Sequence, residues 1–191
     1  MAKYNESWVS IVNEALSKIG DAQIEDLQAG DNTTSFCNTL LTSALRKLFG
    51  LHNWNCVKKR VHLNALVESP TFGYLYQYQI PENFSKIVDI TSEDYSLEGD
   101  RILSNDSSLD LVYIYLPEDA TSINPSILRS ALVTGLAAML AIPLAGSNAL
   151  ANQLNNEFSV LVAEAKIQND SKKEEKEEMS FGDGTLWINR R

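Results

Sequence analysis

The side chains able to do chemistry are few and scattered along the chain. Cys37 and Cys56 lie nineteen residues apart with no CxxC spacing and no paired histidine, and His52 and His62 are the two imidazoles of the sequence. A metal site needs clustered ligands, so these read as two free, mostly buried thiols of a reducing compartment. Carboxylates are abundant. Glu93 with Asp94, or Glu98 with Asp100, would supply the acid and base of a glycosidase-like site. Neighbouring carboxylates in turns read as solvated surface unless burial raises a pKa. There is no Walker loop, no GxGxxG after a strand, no GxSxG and no HExxH. FGDGT (Phe181–Thr185) holds two glycines, but no strand precedes it and no helix follows, so it reads as a turn. The expectation is a protein that is not an enzyme, with no catalytic residues, no cofactor and no metal.

Two features suggest binding. Lys58, Lys59 and Arg60, with His62 nearby, form the densest positive spot. They would touch DNA phosphate or an acidic partner, or simply make the polar part of a surface strand. The chain carries 25 acidic and 16 basic residues, a formal charge of −9. Such a chain lacks the charge that neutralises phosphate, so a protein partner or plain surface is favoured over DNA or an anionic membrane. Tyr74, Tyr76 and Tyr78 alternate along one run and would suit base stacking. No cation accompanies them, so core or subunit-interface packing is the reading.

The elements that position these residues follow from periodicity. At 191 residues, 44% hydrophobic and 21% charged, the chain fits one domain, or one domain with an appendage, around a real core. A first helix spans about Glu6–Ile19, with Trp8, Ile11, Val12, Ala15, Leu16 and Ile19 on one face and Gly20 as its stop. Ile24 and Leu27 are isolated apolar anchors in the following loop. The turn cluster Gly30–Ser35 starts a second helix of about Thr34–Phe49, with Phe36, Cys37, Leu40, Leu41, Ala44, Leu45 and Leu48 as its stripe. Between Trp54 and Tyr115 the period drops to two. Strands are expected over Phe72–Ile80, Lys86–Ile90, Tyr95–Glu98, Arg101–Leu103 and Leu109–Tyr115, with a tight hairpin at Glu98–Asp100. Together they make one small antiparallel sheet inserted at about residues 54–116.

Helical period returns after Asn124 and Pro125 in a third helix that is apolar almost all round and therefore the most buried element. The apolar run Ala131–Ala145 is too short for a membrane span and contains Pro143. The N-terminal MAKYNESWVS lacks the apolar segment of a secretory signal. A fourth helix starts near Asn148 and buries Leu150, Leu154, Phe158, Leu161, Val162, Ala165 and Ile167. The charged run Asn169–Glu178 reads as a solvated helix end or a linker. The fold class expected is α+β, mainly α: a four-helix bundle-like core with an inserted small antiparallel sheet and an extended C-terminal arm. The body is placed at 1–168, the charged linker and arm at 169–191. In the arm, Phe181, Leu186, Trp187 and Ile188 precede Arg190 and Arg191. Trp and Arg dominate binding hot spots, so these residues are expected to dock on a partner or fold back on their own helices.

The order of motifs resembles a known family. A helix ending in ALSKIG (Ala15–Gly20) is followed by HNWNCVKKRVHL (His52–Leu63), by SPTFGYLYQYQIPENFSKIVDI (Ser69–Ile90), by the EGDRIL turn (Glu98–Leu103), by LVYIYLPED (Leu111–Asp119) and by a long apolar helix. This is similar to the head–tail adaptors of short-tailed bacteriophages, also called tail tubular protein A, packaged-DNA stabilisation protein or tail accessory factor. The likeness covers about Ser7–Ala145, and TLWINRR (Thr185–Arg191) resembles the family's ending. Where typical members carry an aromatic and a small residue after Trp-Asn, this chain has Cys56 and Val57.

The resemblance implies a virion neck protein assembled in the host cytoplasm. It implies a homo-oligomeric ring, commonly dodecameric, under the portal protein, extending the DNA channel and attaching tail nozzle or fibre proteins. The family's C-terminal arms contact the portal, which would make Phe181, Leu186, Trp187, Ile188, Arg190 and Arg191 the docking residues. Tyr74, Tyr76, Tyr78, Lys58, Lys59 and Arg60 would be candidates for a subunit or tail interface. DNA would pass without specific binding. Residues 172–191 carry five bases and five acids, so the whole −9 sits on residues 1–171. Like-charged bodies repel, so the free protein is expected to be monomeric or weakly associated, with the portal driving ring formation. A tail-associated peptidoglycan hydrolase, as proposed for some relatives, and a DNA-contacting module using Lys58–Arg60 are the alternatives.

Overall fold

The three- and four-residue recurrence of apolar side chains in the first twenty residues produces α1 (Glu6–Ile19), whose Trp8, Ile11, Val12, Ala15 and Leu16 are fully buried. Gly20 ends it at φ +77°, where a side chain would be strained. The computed structural model describes residues 6–124 and 126–181, and side chains over 8–124 and 126–171. Pro125 and the arm residues Leu186, Trp187, Ile188, Arg190 and Arg191 therefore lie outside the described residues, as does the side chain of Phe181.

The second helix, α2 (Asn32–Gly50), begins two residues earlier than its apolar stripe suggests. Asp31 caps it, its carboxylate accepting the Thr34 N–H at 2.6 Å. That bond holds the Asp31 carboxyl below the usual range. Cys37, Leu41, Ala44, Leu45 and Leu48 are buried as expected, but Phe36 is exposed, because it sits on the flank of the stripe. The third helix, α3 (Ser126–Leu140), buries ten of its residues and is the hub: α1, α2 and α4 (Asn148–Phe181) all pack against it. Gly135 lets α4 approach, since a Cβ there would fall 2.9 Å from the Phe158 ring.

The β-region differs from expectation in two respects. It forms two three-stranded antiparallel sheets rather than one. The first has the order β1-β6-β3, with β1 (Lys58–Asn64), β3 (Phe84–Ile90) and the central β6 (Ser108–Tyr115). The second has the order β2-β5-β4, with β2 (Tyr76–Gln79), β4 (Tyr95–Glu98) and β5 (Arg101–Ser104). The strand expected over Phe72–Ile80 is thus cut to four residues. Gly73 turns at φ +88°, and the Leu75 N–H goes to the Asn105 side chain at 3.1 Å instead of a strand partner. The second sheet packs on one face of the first. Tyr78 and Ile102 meet Leu109, Leu111 and Tyr113 in a small core of their own. The other face of β6 sends Ile114 into the main helical core. Among the described residues the chain is α+β, with four helices and two small antiparallel sheets.

The fourth helix continues through the charged run to Phe181, so that run is a helix end and not a linker, and the boundary placed at 168/169 falls inside α4. Ile167, assigned to the buried stripe, is 70% exposed, while Asn169 is 6% exposed. The reversal comes from the loop after α2, whose Asn55 packs against Asn169. No described helix is long and apolar enough to cross a membrane.

Candidate functional site

The interaction candidates fall at the two ends of the β-region. At its base, Trp54 is fully buried and donates its indole N–H to the Leu48 carbonyl at 2.9 Å, fixing the exit from α2. Asn55 then donates two hydrogen bonds to Asn169 of α4. The Asn55 N–H reaches the Asn169 side-chain oxygen at 2.8 Å, and the Asn55 amide donates to the Asn169 carbonyl at 3.0 Å. The Asn169 Nδ2 lies 3.1 Å from His52 Nε2, which is itself 3.0 Å from Asp170 Oδ1. His52 also packs edge-on against Trp54, with ring centroids 4.9 Å apart. A polar residue in a charged stretch is buried because its hydrogen bonds are supplied from 114 residues away. Lys86 of β3 closes the same corner, donating to the Gly50 carbonyl at 3.1 Å. Burial, with Lys166 nearby, lowers the Lys86 pKa.

The basic run Lys58–Arg60 does not act as a unit. Successive strand residues point to opposite faces. Lys58 donates to the Asn55 side chain at 3.0 Å, Lys59 sits 4.0 Å from the centre of the Tyr115 ring on the other face, and Arg60 is exposed. The tyrosines are also separated. Tyr78 is fully buried, with its hydroxyl donating to the Asp106 carbonyl, and burial pushes its pKa up. It is core and not an interface residue. Tyr76 is half-buried beside it. Tyr74 lies in the preceding loop and donates to Asp94 at 3.3 Å; partial burial, then that carboxylate, raises its pKa.

The carboxylates picked from the sequence are on the surface. Asp94 accepts from Tyr74, Glu98 from the Ser96 hydroxyl at 3.0 Å, and Asp100 pairs with Arg101 at 3.0 Å. The nearest approach to an acid–base dyad is His62 Nδ1 with Asp110 Oδ1 at 2.7 Å, and both side chains are more than half exposed. Such a pair is worth at most about 1 kcal/mol and has no dry environment in which to work. A groove of about 750 Å³ between α1, α3 and α4 holds Glu14 and Glu157, but Arg129 takes the first and Lys18 the second, at 2.6 Å in the latter case. Among the described residues no group of three or more His, Cys, Asp or Glu side chains is arranged to hold a metal ion. Cys37 is buried and Cys56 partly so, and neither is in a disulfide.

What sequence reasoning missed is at the far end of the β-region. Val67 and Phe72 are almost wholly exposed, and Leu75 and Leu97 are about half exposed or more. A shallow groove of about 330 Å³ on the outer face of the second sheet is lined by Pro70, Phe72, Tyr74, Leu103, Glu98 and Arg101, among others. The signal was present in Pro70 and Gly73, which break the strand that would have paired Phe72. The sequence matches no protein-family model and no curated protein.

Proposed function

We propose that this chain is a structural head–tail adaptor of the short-tailed bacteriophage type. Copies form a ring under the portal protein, extend the DNA channel and give the tail nozzle or fibres a surface to attach to. In this reading the four helices form the bundle-like body of each subunit, the two sheets project from it, and Phe181, Leu186, Trp187, Ile188, Arg190 and Arg191 dock on the portal. The protein acts by shape and contact, not by catalysis, in the neck of the virion.

One observation supports the reading above others. The Trp54-Asn55 step, which together with the tyrosine-rich strand and Ile80–Phe84 makes the strongest part of the resemblance, forms the joint between helical body and sheets, and Asn169 ties α4 to it. A rigid joint there would hold the sheets and the end of α4 at a fixed angle, which a ring subunit requires. The acidic body agrees with a channel that lets DNA slide, because a negative wall repels phosphate.

Sedimentation velocity of the purified protein, alone and mixed with portal rings of the same phage, tests the proposal. The expected result is a slow species alone that shifts entirely onto the portal. Deleting Ser180–Arg191 should abolish the shift and leave the body folded. No shift of the full chain on a cognate portal would overturn the adaptor reading.

A further inference from the structure

The outer face of the second sheet has the chemistry of a docking groove. Phe72, 86% exposed, forms an apolar wall with Pro70 and Leu103, and the Glu98 carboxylate stands at the rim. Arg101 also lines the groove, but Asp100 at 3.0 Å already neutralises it. The surrounding unit is strongly acidic. Residues 65–80 and 91–107 contain Glu68, Glu93, Asp94, Glu98, Asp100 and Asp106 against the single base Arg101. An apolar cleft in a negative field selects a segment that is aromatic and aliphatic at one end and cationic at the other.

The chain itself contains such a segment. Leu186, Trp187 and Ile188 are followed by Arg190 and Arg191, and no acid occurs after Asp183. The other basic runs do not offer this combination: Lys58–Arg60 is divided between two faces of β1, and Lys172, Lys173 and Lys176 are interleaved with glutamates. Reach is adequate. Asn169 is fixed beside the start of β1, α4 adds about 18 Å from there to Phe181, and the six residues to Trp187 add up to about 20 Å. β1 itself covers only about 23 Å of the way from that anchor toward the second sheet.

We propose that in the free protein the chain's own Leu186–Arg191 occupies this groove, with Trp187 against Phe72 and Leu103 and the arginines on Glu98 and its acidic neighbours. The segment is thereby stored until a stronger partner removes it. This does not depend on that partner being a portal.

The test uses the full chain in dilute solution, with Trp187 replaced by p-benzoylphenylalanine and the photo-cross-links mapped by mass spectrometry. Cross-links to residues 70–77 and 96–103 are expected. Their yield should fall about tenfold in a Phe72→Ser, Glu98→Lys double variant and should fall on raising salt. Both altered side chains are exposed, so the fold is retained, which circular dichroism checks. Cross-links that map to the groove between α1, α3 and α4, no intramolecular cross-link, or a yield unchanged by the double variant would each overturn the proposal. The measurement contains no portal, so failure here leaves the sedimentation result untouched, and failure there leaves this one untouched.

Discussion

Replacing Asn169 by Ala should cost more stability than truncating the exposed apolar Ile167 two residues before it on α4. The side chain accepts the Asn55 N–H at 2.8 Å and places its Nδ2 3.1 Å from His52 Nε2 and 3.2 Å from Asp170 Oδ1. Alanine removes about two well-made bonds at roughly 1 kcal/mol each and strands a partly buried N–H, for a gross loss of about 2.5–3 kcal/mol. The helix itself gains about 0.6 kcal/mol from the change. The bond from the Asn55 side chain to the Asn169 carbonyl, at 3.0 Å, survives and limits the damage. The net loss is about 2 kcal/mol. With a urea slope of about 2 kcal/mol/M the midpoint falls by about 1 M. Ile167→Ala, two residues away and 70% exposed, should move it by less than about 0.3 M. Urea unfolding followed by circular dichroism reads both, and amide exchange of Asn55 reads the site directly. If the Asn169 variant unfolds within about 0.2 M of wild type and Asn55 exchanges no faster, the joint does not hold α4 and this reasoning is wrong.

Three other outcomes are expected. Gly135→Ala should lower Tm by about 3 °C, because the new Cβ meets the Phe158 ring at 2.9 Å and the overpacking exceeds the roughly 1 kcal/mol gained in helix propensity; an unchanged or higher Tm by calorimetry would show that the ring has room. Tyr78→Phe should cost about 1 kcal/mol in urea unfolding, since the buried hydroxyl donates to the Asp106 carbonyl and that acceptor is left unmatched. Burial, with Asp21 and Asp31 adding, pushes the Cys37 thiol up to about 11, so Ellman's reagent at pH 8 should modify Cys56 well before Cys37. The sign follows from the raised value: the stability tied to the neutral Cys37 thiol is whole below its unfolded pKa near 9 and is lost as pH rises toward 11, so the gap in urea midpoint between wild type and Cys37→Ala should narrow across that window.

The helices were legible because each writes its burial into its own spacing. Trp8 through Ile19 mark one face of α1, and the all-round apolar character of α3 marked it as the most buried element. The hairpin β4–β5 was legible from Glu98-Gly99-Asp100, since the turn fixes the register of Leu97 with Ile102. Failures came where the decisive partner is remote. Phe72 alternates with Tyr74 and Tyr76 as a strand residue would, yet Gly73 and the Asn105 side chain divert the backbone. Ile167 continues an apolar series, but no described residue covers it, while Asn169 looks solvated and is met by Asn55 and His52. The division into two sheets was invisible because β6 alternates in both directions, with Leu109, Leu111 and Tyr113 facing the second sheet and Ile114 facing the helices. Both faces of such a strand are apolar, and sequence alone does not say what covers each.

Two hydrophobic cores divide the described residues into a helical part and a sheet part. The helical core closes on itself around α3 and takes from the first sheet chiefly Ile114, with Val88 and Tyr115 packed at its margin. The sheet core is small, and three short strands on their own are marginal, so the second sheet depends on the face of β6 for its stability. The first sheet depends on the second in return chiefly through Leu109, Leu111 and Tyr113, which Tyr78 and Ile102 cover. Loss of Tyr78 or Ile102 packing would loosen the second sheet, but Ile114 and the helices behind it would keep their contacts. Val67, Phe72, Leu75 and Leu97, the most exposed apolar residues of the β-region, all lie on this dependent unit or the loop entering it. Unburied apolar side chains and concentrated negative charge make this unit the part of the adaptor proposed above to examine for contact with a partner. The helical body meets the β-region at the Trp54–Asn55–Asn169 joint, where the Trp54 indole and the Asn55 N–H tie the end of α2 and Asn169 of α4 to the start of β1.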